Sequence, residues 1–221
     1  GRAKYLGLRK DMIIGYGQDD RVCAYTSLEA VLEHKKAKRT CCCILVDKEE
    51  IGSVGATGMD SLLLENALSE VLTRFGGCDE MTRIRRTLKN SYMLSSDVNS
   101  ALDPLNMDLY DETNSSKLGG GIVFNKYTGS RGKSGASDAN AEYIAKLRKA
   151  MDDNKVAFQM ADMAKVDVGG GGTIAKFAAW YGMSVIDSGV SVLSMHAPFE
   201  ITSTFDIETA KQCYLAFLDM E

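Results

Sequence analysis

Apolar residues recur about every 3.6 positions in five stretches of the chain, which is the spacing that gathers them on one face of an α-helix. Short apolar runs lie between these stretches, and strands covered on both faces by helices have this continuous apolar composition. The predicted helices lie at 24–34, 62–75, 141–151, 174–181 and 207–218, and the predicted strands at 41–46, 91–94, 122–124, 156–160 and 184–186.

The alternation of helices and strands predicts an α/β fold with three α/β/α layers around a central mixed, largely parallel sheet. The glycine clusters at 119–121, 129–135 and 169–172 are interpreted as loops, because glycine interrupts both helices and strands. A chain of 221 residues without a proline- or serine-rich linker has the length of one domain with a continuous core. We therefore expect one domain over residues 1–221.

Composition and charge narrow the classes of partner. Hydrophobic residues make up 45% and charged residues 25%, which is typical of a soluble globular protein. A net charge of −4 gives no basic surface for nucleic acid, and no apolar run approaches the roughly 20 residues of a membrane span. Three of the six cysteines are consecutive, at 41–43, which disfavours a disulfide framework. We expect a cytoplasmic protein with reduced thiols and without a nucleic acid or membrane partner.

An adjacent pair of acidic residues, Glu49 and Glu50, directly follows the apolar run 41–46 and precedes a turn of small residues. Such a pair can present one carboxylate to a cation and use the other to move a proton. Taken alone, two adjacent glutamates usually belong to a solvated surface. The functional interpretation therefore depends on what other residues lie nearby.

Further polar residues follow other predicted elements. Asp19 precedes the first predicted helix, Asp97 follows a predicted strand, and His196 lies in a loop. A helix cap is the simplest alternative for each aspartate, and an ordinary loop residue is the alternative for the histidine. Because ligands of α/β proteins bind beyond the carboxyl ends of strands, we expect these side chains to converge. Carboxylates together with one imidazole form the mixed ligand set that zinc or a related dication accepts.

Five segments of the chain together carry a resemblance to a known family. They are Gln18-Asp19-Asp20-Arg21, Asp47-Lys48-Glu49-Glu50-Ile51-Gly52-Ser53, Ser95-Ser96-Asp97-Val98, Gly169-Gly170-Gly171-Gly172-Thr173-Ile174-Ala175 and Met195-His196-Ala197-Pro198-Phe199-Glu200. These segments occur in the same order in the M18 family of zinc aminopeptidases. The chain thus resembles aspartyl aminopeptidase and its bacterial relatives, and the likeness extends over essentially all 221 residues.

The resemblance implies a role for each candidate residue. Asp19 is the carboxylate that bridges two zinc ions, Glu50 and His196 complete one zinc site, Asp97 serves the other, and Glu49 is the catalytic base. The implied cofactor is Zn²⁺, two per complete active site, with Mn²⁺ or Co²⁺ as possible replacements. The implied substrates are peptides, with the acidic amino-terminal residue that aspartyl aminopeptidases prefer and bacterial relatives need not, and the implied assembly is a homo-oligomer, commonly a dodecamer.

The chain also departs from the family pattern. Family members carry a further zinc-binding histidine in an amino-terminal segment, followed by an inserted dimerisation domain, and neither precedes Gly1. We therefore expect a single catalytic-type domain corresponding to the carboxyl-terminal half. His34 lies among lysines on a predicted solvated helix face and is not a candidate replacement. The alternative function is a catalytically incomplete fragment or an assembly component of such a peptidase.

Other enzyme classes find little support in the sequence. Gly132-Lys133-Ser134 resembles the end of a phosphate-binding loop, but Tyr127 stands where that motif requires glycine. The chain has no Gly-x-Ser-x-Gly segment, and the consecutive cysteines fall in a predicted core strand, so nucleophilic serine or cysteine catalysis is disfavoured.

Overall fold

The computed structural model describes residues 2–76 and 81–220. All five helices predicted from periodicity are confirmed, although their ends shift by several residues, and one further helix, α3, was not predicted. The described helices are α1 (Gln18–Glu33), α2 (Leu63–Arg74), α3 (Met81–Lys89), α4 (Ala141–Asn154), α5 (Ala175–Trp180) and α6 (Thr204–Leu218).

A four-stranded sheet lies at the centre of the fold, in the order β3-β9-β5-β8. Strands β3 and β9 are parallel, β9 and β5 are antiparallel, and β5 and β8 are parallel. This sheet contains four of the five predicted strands. As expected, it is a mixed sheet in which most strand pairs are parallel. Its strands are β3 (Tyr92–Ser96), β5 (Ile122–Asn125), β8 (Phe158–Met160) and β9 (Ser184–Gly189).

Helices cover both faces of the central sheet. Successive side chains of a strand point to opposite faces, so Ile186 packs into the core formed with α1, α4 and α6, while Val185 packs into the second core with α5. Leu94 and Met93 of β3 divide between the two cores in the same way. The predicted α/β layer architecture is confirmed.

A second sheet of five strands was not predicted. Its order is β1-β2-β11-β10-β4, and all of its pairs are antiparallel except β10 with β4. The strands are short, and all except β2 carry polar residues, so they lack the long apolar runs that identified the central sheet. They are β1 (Lys4–Leu6), β2 (Met12–Gly15), β4 (Asn99–Ser100), β10 (Ser191–Leu193) and β11 (Glu200–Ser203).

The strand predicted at 41–46 is wrong. These residues adopt no regular structure, and Ile44 and Leu45 are exposed, at 38% and 59% of their maximum. Apolar composition indicates that a segment suits a sheet, but a strand also needs a partner backbone for its hydrogen bonds. Cys42 is exposed, so the consecutive cysteines do not lie in a core strand as predicted. The five cysteines within the described residues are free thiols.

Strands β6 (Tyr127–Ser130) and β7 (Ser134–Asp138) form a separate hairpin. The turn between them contains Gly132 and Lys133, whose backbone N–H groups donate to carbonyl oxygens of Gly129 and Ser130. A phosphate-binding loop leads from a strand into a helix, so the hairpin excludes that interpretation. Within residues 2–76 and 81–220, no helix combines the length and the apolar character needed to cross a membrane.

Candidate metal centre

Three side chains named from the sequence, Asp19, Glu50 and His196, meet at one point on the surface. His196 Nε2 lies 3.0 Å from Asp19 Oδ2 and 3.2 Å from Glu50 Oε1. One ligand atom from each of the three lies within 4.8 Å of the other two. Two ligands bound about 2 Å from a tetrahedral zinc ion are roughly 3 Å apart, so the spacing of these atoms fits a shared ion.

Asp19 lies at the start of α1 but not in helical geometry. Its φ and ψ are −79° and 108°, and the Asp19–Asp20 peptide bond is cis. The residue that precedes the helix is Gly17, in a left-handed conformation with φ 64°, and no side chain caps the helix there. The simpler interpretation of Asp19 as a helix cap is therefore not supported. Its side chain is instead turned towards His196 and is only 10% exposed.

Glu49 and Glu50 lie in a single turn of 3₁₀ helix, Glu49–Ile51, at the end of the irregular segment. The turn is closed by the Gly52 N–H donating to the Glu49 carbonyl at 2.8 Å and the Ser53 N–H donating to the Lys48 carbonyl at 2.7 Å. Lys48 and Gly52, on either side, both have left-handed backbones. Such a compact turn sends adjacent side chains in different directions, so that Glu49 is half-buried while Glu50 is exposed.

His196 lies in a tight turn between β10 and β11. Its φ of 64° and the φ of 59° at Ser194 are both left-handed, and the Ala197 N–H donates to the Ser194 carbonyl at 3.0 Å. A residue with a side chain pays roughly 1–2 kcal/mol for this conformation, so surrounding contacts must hold it. The His196 side chain is 62% exposed and faces the two carboxylates.

Glu200, the first residue of β11, contacts the backbone of two of these residues. Its Oε2 accepts a hydrogen bond from the Asp19 N–H at 3.1 Å, and its Oε1 accepts one from the His196 N–H at 3.0 Å. Glu200 is 1% exposed. Sequence reasoning assigned it no role, although it ends the last of the five segments, four residues after His196.

Burial, together with neighbouring charges, raises the pKa of Asp19 and Glu49. Burial is the main cause that raises the pKa of Asp19 to about 6, and the charge of Glu50 adds to it while His196 opposes it. The pKa of Glu49 is likewise raised by burial and then by the charges of Glu50 and Asp19. A nearby cation would reverse these shifts, because it favours the ionised form of each carboxyl group.

Asp97 and Asp20 form the buried side of the same acidic region. Burial raises the pKa of Asp97 well above its ordinary value, followed by the charges of Asp20, Asp19 and Glu49. Burial also raises the pKa of Asp20 to about 8, against hydrogen bonding from Cys23. Asp97 Oδ1 accepts from the Val98 N–H at 2.8 Å. In the described parts of the chain, Asp97 is not among the three residues whose ligand atoms gather within 4.8 Å.

The remaining sequence candidates lie elsewhere. The glycine-rich segment 169–172 packs against the β6–β7 hairpin, where a Cβ added to Gly170 would approach the Gly129 carbonyl oxygen to 2.7 Å. His34 does not lie on a solvated face, as its neighbouring lysines suggested. Its side chain is 8% exposed, and its Nε2 lies 2.9 Å from Asp219 Oδ1.

A buried acid in the apolar strand β9, Asp187, also escaped the sequence analysis. It is 4% exposed and accepts hydrogen bonds from the hydroxyls of Thr128 and Thr173, which join the central sheet to the hairpin and to the end of the glycine-rich segment. Burial raises its pKa, although hydrogen bonds from hydroxyls oppose the shift. An aspartate directly after the apolar strand residues Val185 and Ile186 was the available signal, because a buried acid requires donors.

The donor set suits a divalent metal such as zinc. It combines carboxylate oxygens with an imidazole nitrogen, and zinc accepts both. Burial, and then the charges of neighbouring carboxylates, raises the pKa of Asp19 and Asp97, and a cation between them would favour the ionised form of both. Asp19, Glu50 and His196 are the residues that would hold one ion.

Comparison with known proteins agrees with this chemistry. A family model described as aminopeptidase I zinc metalloprotease (M18) matches residues 1–218. A probable M18 family aminopeptidase 1 from Clostridium acetobutylicum is 56% identical over 99% of this chain and 47% of its own length. A counterpart from Thermotoga maritima is 42% identical over 97% of this chain and 47% of its own length. The chain spans about half the length of the curated relatives it matches.

Solved structures give the same result. The crystal structure of aminopeptidase I from Clostridium acetobutylicum superimposes with a TM-score of 0.91 at 56% identity, covering 99% of this chain and 47% of that one. The crystal structure of the M18 family aminopeptidase from Thermotoga maritima gives a TM-score of 0.96 at 41% identity, and it covers 100% of this chain and 49% of that one. The structure of the S. cerevisiae mApe1 dodecamer shares the fold, with a TM-score of 0.77 at 22% identity. The match covers 98% of this chain and 48% of that one. The chain belongs to the M18 family of zinc metalloproteases, whose members include these aminopeptidases.

Proposed function

We propose that this chain carries the catalytic centre of a metal-dependent aminopeptidase, which removes the amino-terminal residue from peptides at a dinuclear zinc site. The observation that carries the proposal is the convergence of Asp19, Glu50 and His196, with ligand atoms within 4.8 Å, beside the half-buried carboxylate of Glu49. The metal dependence and the peptidase class agree with the family.

Each residue takes a separate part in the proposed chemistry. Asp19, Glu50 and His196 would hold one ion, and Asp19 together with Asp97 would hold the second. Bound zinc lowers the pKa of a water molecule and polarises a carbonyl group. Glu49 acts as the general base, since its carboxylate accepts a proton from the attacking water and returns it to the nitrogen of the leaving amine.

The acidic surroundings support this division of roles. Glu49 is half-buried, and its pKa is raised by burial and by two neighbouring carboxylates, so it holds a proton more readily than a solvated glutamate does. Glu50 is exposed, close to His196, and free to contact an ion. We propose Zn²⁺ as the native metal, with Mn²⁺ or Co²⁺ as functional replacements.

A second function is favoured by a specific observation. One cluster of three ligands is present within residues 2–76 and 81–220, and Asp97 lies outside it. The chain also spans 47% of its Clostridium relative. The alternative is therefore a catalytically incomplete part of a peptidase, or a component of its assembly, that binds a single zinc.

Location and assembly are extensions of the same proposal. A cytoplasmic location is supported by the free thiols of the described cysteines, because a reducing compartment keeps thiols unpaired. A homo-oligomer is supported by exposed apolar side chains such as Leu63, Val71 and Phe75 along α2, and by the dodecamer reported for the yeast relative. Peptides are the proposed partners.

The decisive experiment combines metal content with a substrate panel. Purified protein would be analysed for zinc and assayed on peptides that begin with Asp, Glu or Leu, before and after treatment with a chelator. Two zinc ions per chain and release of the free amino-terminal residue support the peptidase, and faster cleavage of Asp and Glu peptides supports acidic specificity. A Glu49→Gln variant purified in parallel controls for contaminating peptidases.

The outcomes separate the two functions. One zinc per chain without cleavage, even after addition of Zn²⁺, Mn²⁺ or Co²⁺, would favour the incomplete fragment. Protein that binds no zinc would contradict both functions. Cleavage that resists the chelator would contradict the metal-dependent mechanism.

A further inference from the structure

Glu200 holds the backbones of two proposed metal ligands that come from opposite ends of the chain. One oxygen of its carboxylate accepts the Asp19 N–H at 3.1 Å, and the other accepts the His196 N–H at 3.0 Å. Asp19 and Glu200 are 181 residues apart in sequence. A single carboxylate therefore sets the distance between two peptide groups whose side chains meet 3.0 Å apart.

Neither ligand backbone is held by regular secondary structure. Asp19 has non-helical dihedrals at the start of α1, and His196 occupies the left-handed region within a turn. Left-handed geometry is unfavourable for a residue with a side chain, and the exposed His196 ring gains little from packing. A hydrogen bond from its N–H to a buried anion offsets this cost and is stronger than a bond between neutral groups.

Glu200 itself is held firmly in place. It is 1% exposed, and its backbone pairs with Gly15 of β2. Its carbonyl oxygen accepts a hydrogen bond from Gln18 Nε2 at 3.1 Å, and Thr202 Oγ1 donates to Gln18 Oε1 at 2.9 Å. The main chain of Glu200 is thus fixed to the five-stranded sheet independently of the contacts that its carboxylate makes with the two ligand backbones.

We propose that Glu200 is a positioning residue that sets the separation of Asp19 and His196, so that both reach the same metal ion. This inference rests on the proposed function, because it presupposes that the two residues bind a metal. Both oxygens of Glu200 accept backbone N–H groups, so Glu200 would not itself be a ligand of the ion. It acts through the backbones of the ligands, as residues around metal sites commonly orient the groups that bind the metal.

The test replaces the carboxylate with a group of the same shape. In Glu200→Gln, the amide oxygen accepts one N–H, but the amide NH₂ faces the second N–H and cannot accept it. Zinc affinity, measured in the full chain by competition with a chromophoric chelator, is expected to fall about 10- to 100-fold. The visible absorption spectrum of the Co²⁺-loaded chain is expected to change as well, because the geometry around the ion changes.

A matched variant controls for the loss of charge. Glu208→Gln removes the same charge from an exposed position on α6, and it is expected to leave zinc affinity and the Co²⁺ spectrum unchanged. A purely structural role for Glu200 would lower thermal stability without altering the Co²⁺ spectrum. An unchanged spectrum and affinity in Glu200→Gln would therefore overturn the proposal.

A measurement on the unaltered chain covers the case in which Glu200→Gln does not fold. Hydrogen exchange at the Asp19 and His196 amides should be slow in the metal-free protein, and exchange at the rate of an unprotected peptide would overturn the proposal. The failure of the proposed function looks different, because the unaltered chain would then bind neither Zn²⁺ nor Co²⁺.

Discussion

Two acidic regions of the molecule, each at the start of a helix, hold their carboxylates in different ways. At the start of α6, the oxygens of Asp206 accept hydrogen bonds from the Gly119 and Gly121 N–H groups, both at 2.8 Å. At the start of α1, Asp19 faces His196 and lies near the carboxylate of Glu50. Asp206 has backbone N–H donors for both of its oxygens, whereas the nearest charged groups around Asp19 include other carboxylates.

This difference separates a structural acid from a candidate ligand. Each oxygen of Asp206 accepts a backbone N–H, and the residue is fully buried, so an ion has no access to it. Asp19 has its oxygen directed at an imidazole in a region where Glu49 and Asp97 also have raised pKa values. Burial is the first cause of the raised pKa in both regions, so the shift alone does not identify a metal site. The identity of the neighbouring groups does.

The largest expected effect distinguishes the two adjacent glutamates of the acidic region. Glu49→Gln should reduce kcat of the active enzyme by about 10²- to 10⁴-fold, because the variant has no general base to accept the proton of the attacking water. Zinc content should remain that of the unaltered protein. Steady-state kinetics together with metal analysis of the same preparation measures both quantities.

A substitution at the adjacent Glu50 supplies the matched comparison. Glu50→Gln removes a proposed ligand, so it should lower zinc content as well as activity. If Glu49→Gln lost the metal and Glu50→Gln kept it, the two glutamates would have exchanged roles and the assignment would be wrong.

The second effect concerns stability. Zinc at about 100 times its Kd should stabilise the metal-free chain by about 2.7 kcal/mol, because it binds the folded state selectively. For a chain of this size that free energy corresponds to a rise of roughly 5–11 °C in Tm. Thermal unfolding followed by circular dichroism, with and without zinc, measures the rise, and His196→Ala should abolish it.

The second histidine provides the control. His34→Ala removes an imidazole that contacts Asp219 away from the cluster, so its zinc-dependent rise should match that of the unaltered chain. A rise that persisted in His196→Ala would locate the bound zinc elsewhere, for example at the thiols of 41–43.

The sequence predicted the central sheet because its strands are apolar on both faces, and it predicted the helices because their apolar residues repeat every 3.6 positions. It failed at 41–46, where the composition suits a strand but pairing depends on a distant backbone. It also missed β2 and β11, whose four-residue runs are too short to identify by composition and become strands by pairing with each other.

The candidate site was likewise only partly predictable from the sequence. The order of the five segments indicated Asp19, Glu50 and His196, whose side chains the structure gathers together. The contact of Glu200 with Asp19 could not be inferred, because it joins residues 181 apart in sequence and no spacing along the chain encodes it. The hydroxyl donors of Asp187 were hidden for the same reason.

A third effect extends the comparison to Asp187, a buried acid that accepts from hydroxyls. Asp187→Ala should lower the free energy of unfolding by about 1–3 kcal/mol, because Thr128 and Thr173 are buried and lose their acceptor. Urea denaturation measures the loss, and zinc content should stay the same. Asp187→Asn keeps an acceptor oxygen and should lose less. Loss of zinc in either variant would contradict the distinction between acids that have protein donors and acids that bind an ion.

The smallest effect tests Asp206 through pH. Burial raises its pKa from the ordinary 3.8 to about 6, although the Gly119 and Gly121 N–H groups oppose the shift. Between these two values the folded state binds more protons than the unfolded state, so the contribution of Asp206 to stability declines as pH rises from about 4 to 6 and is constant above. Asp206→Asn cannot titrate, so the free energy of unfolding of the unaltered chain relative to this variant should fall across that window. Urea denaturation of both proteins at pH 4, 5, 6 and 7 measures the trend. A difference that rose with pH would mean that the two backbone donors outweigh burial, and Asp206 would then be a carboxylate that the fold prefers ionised.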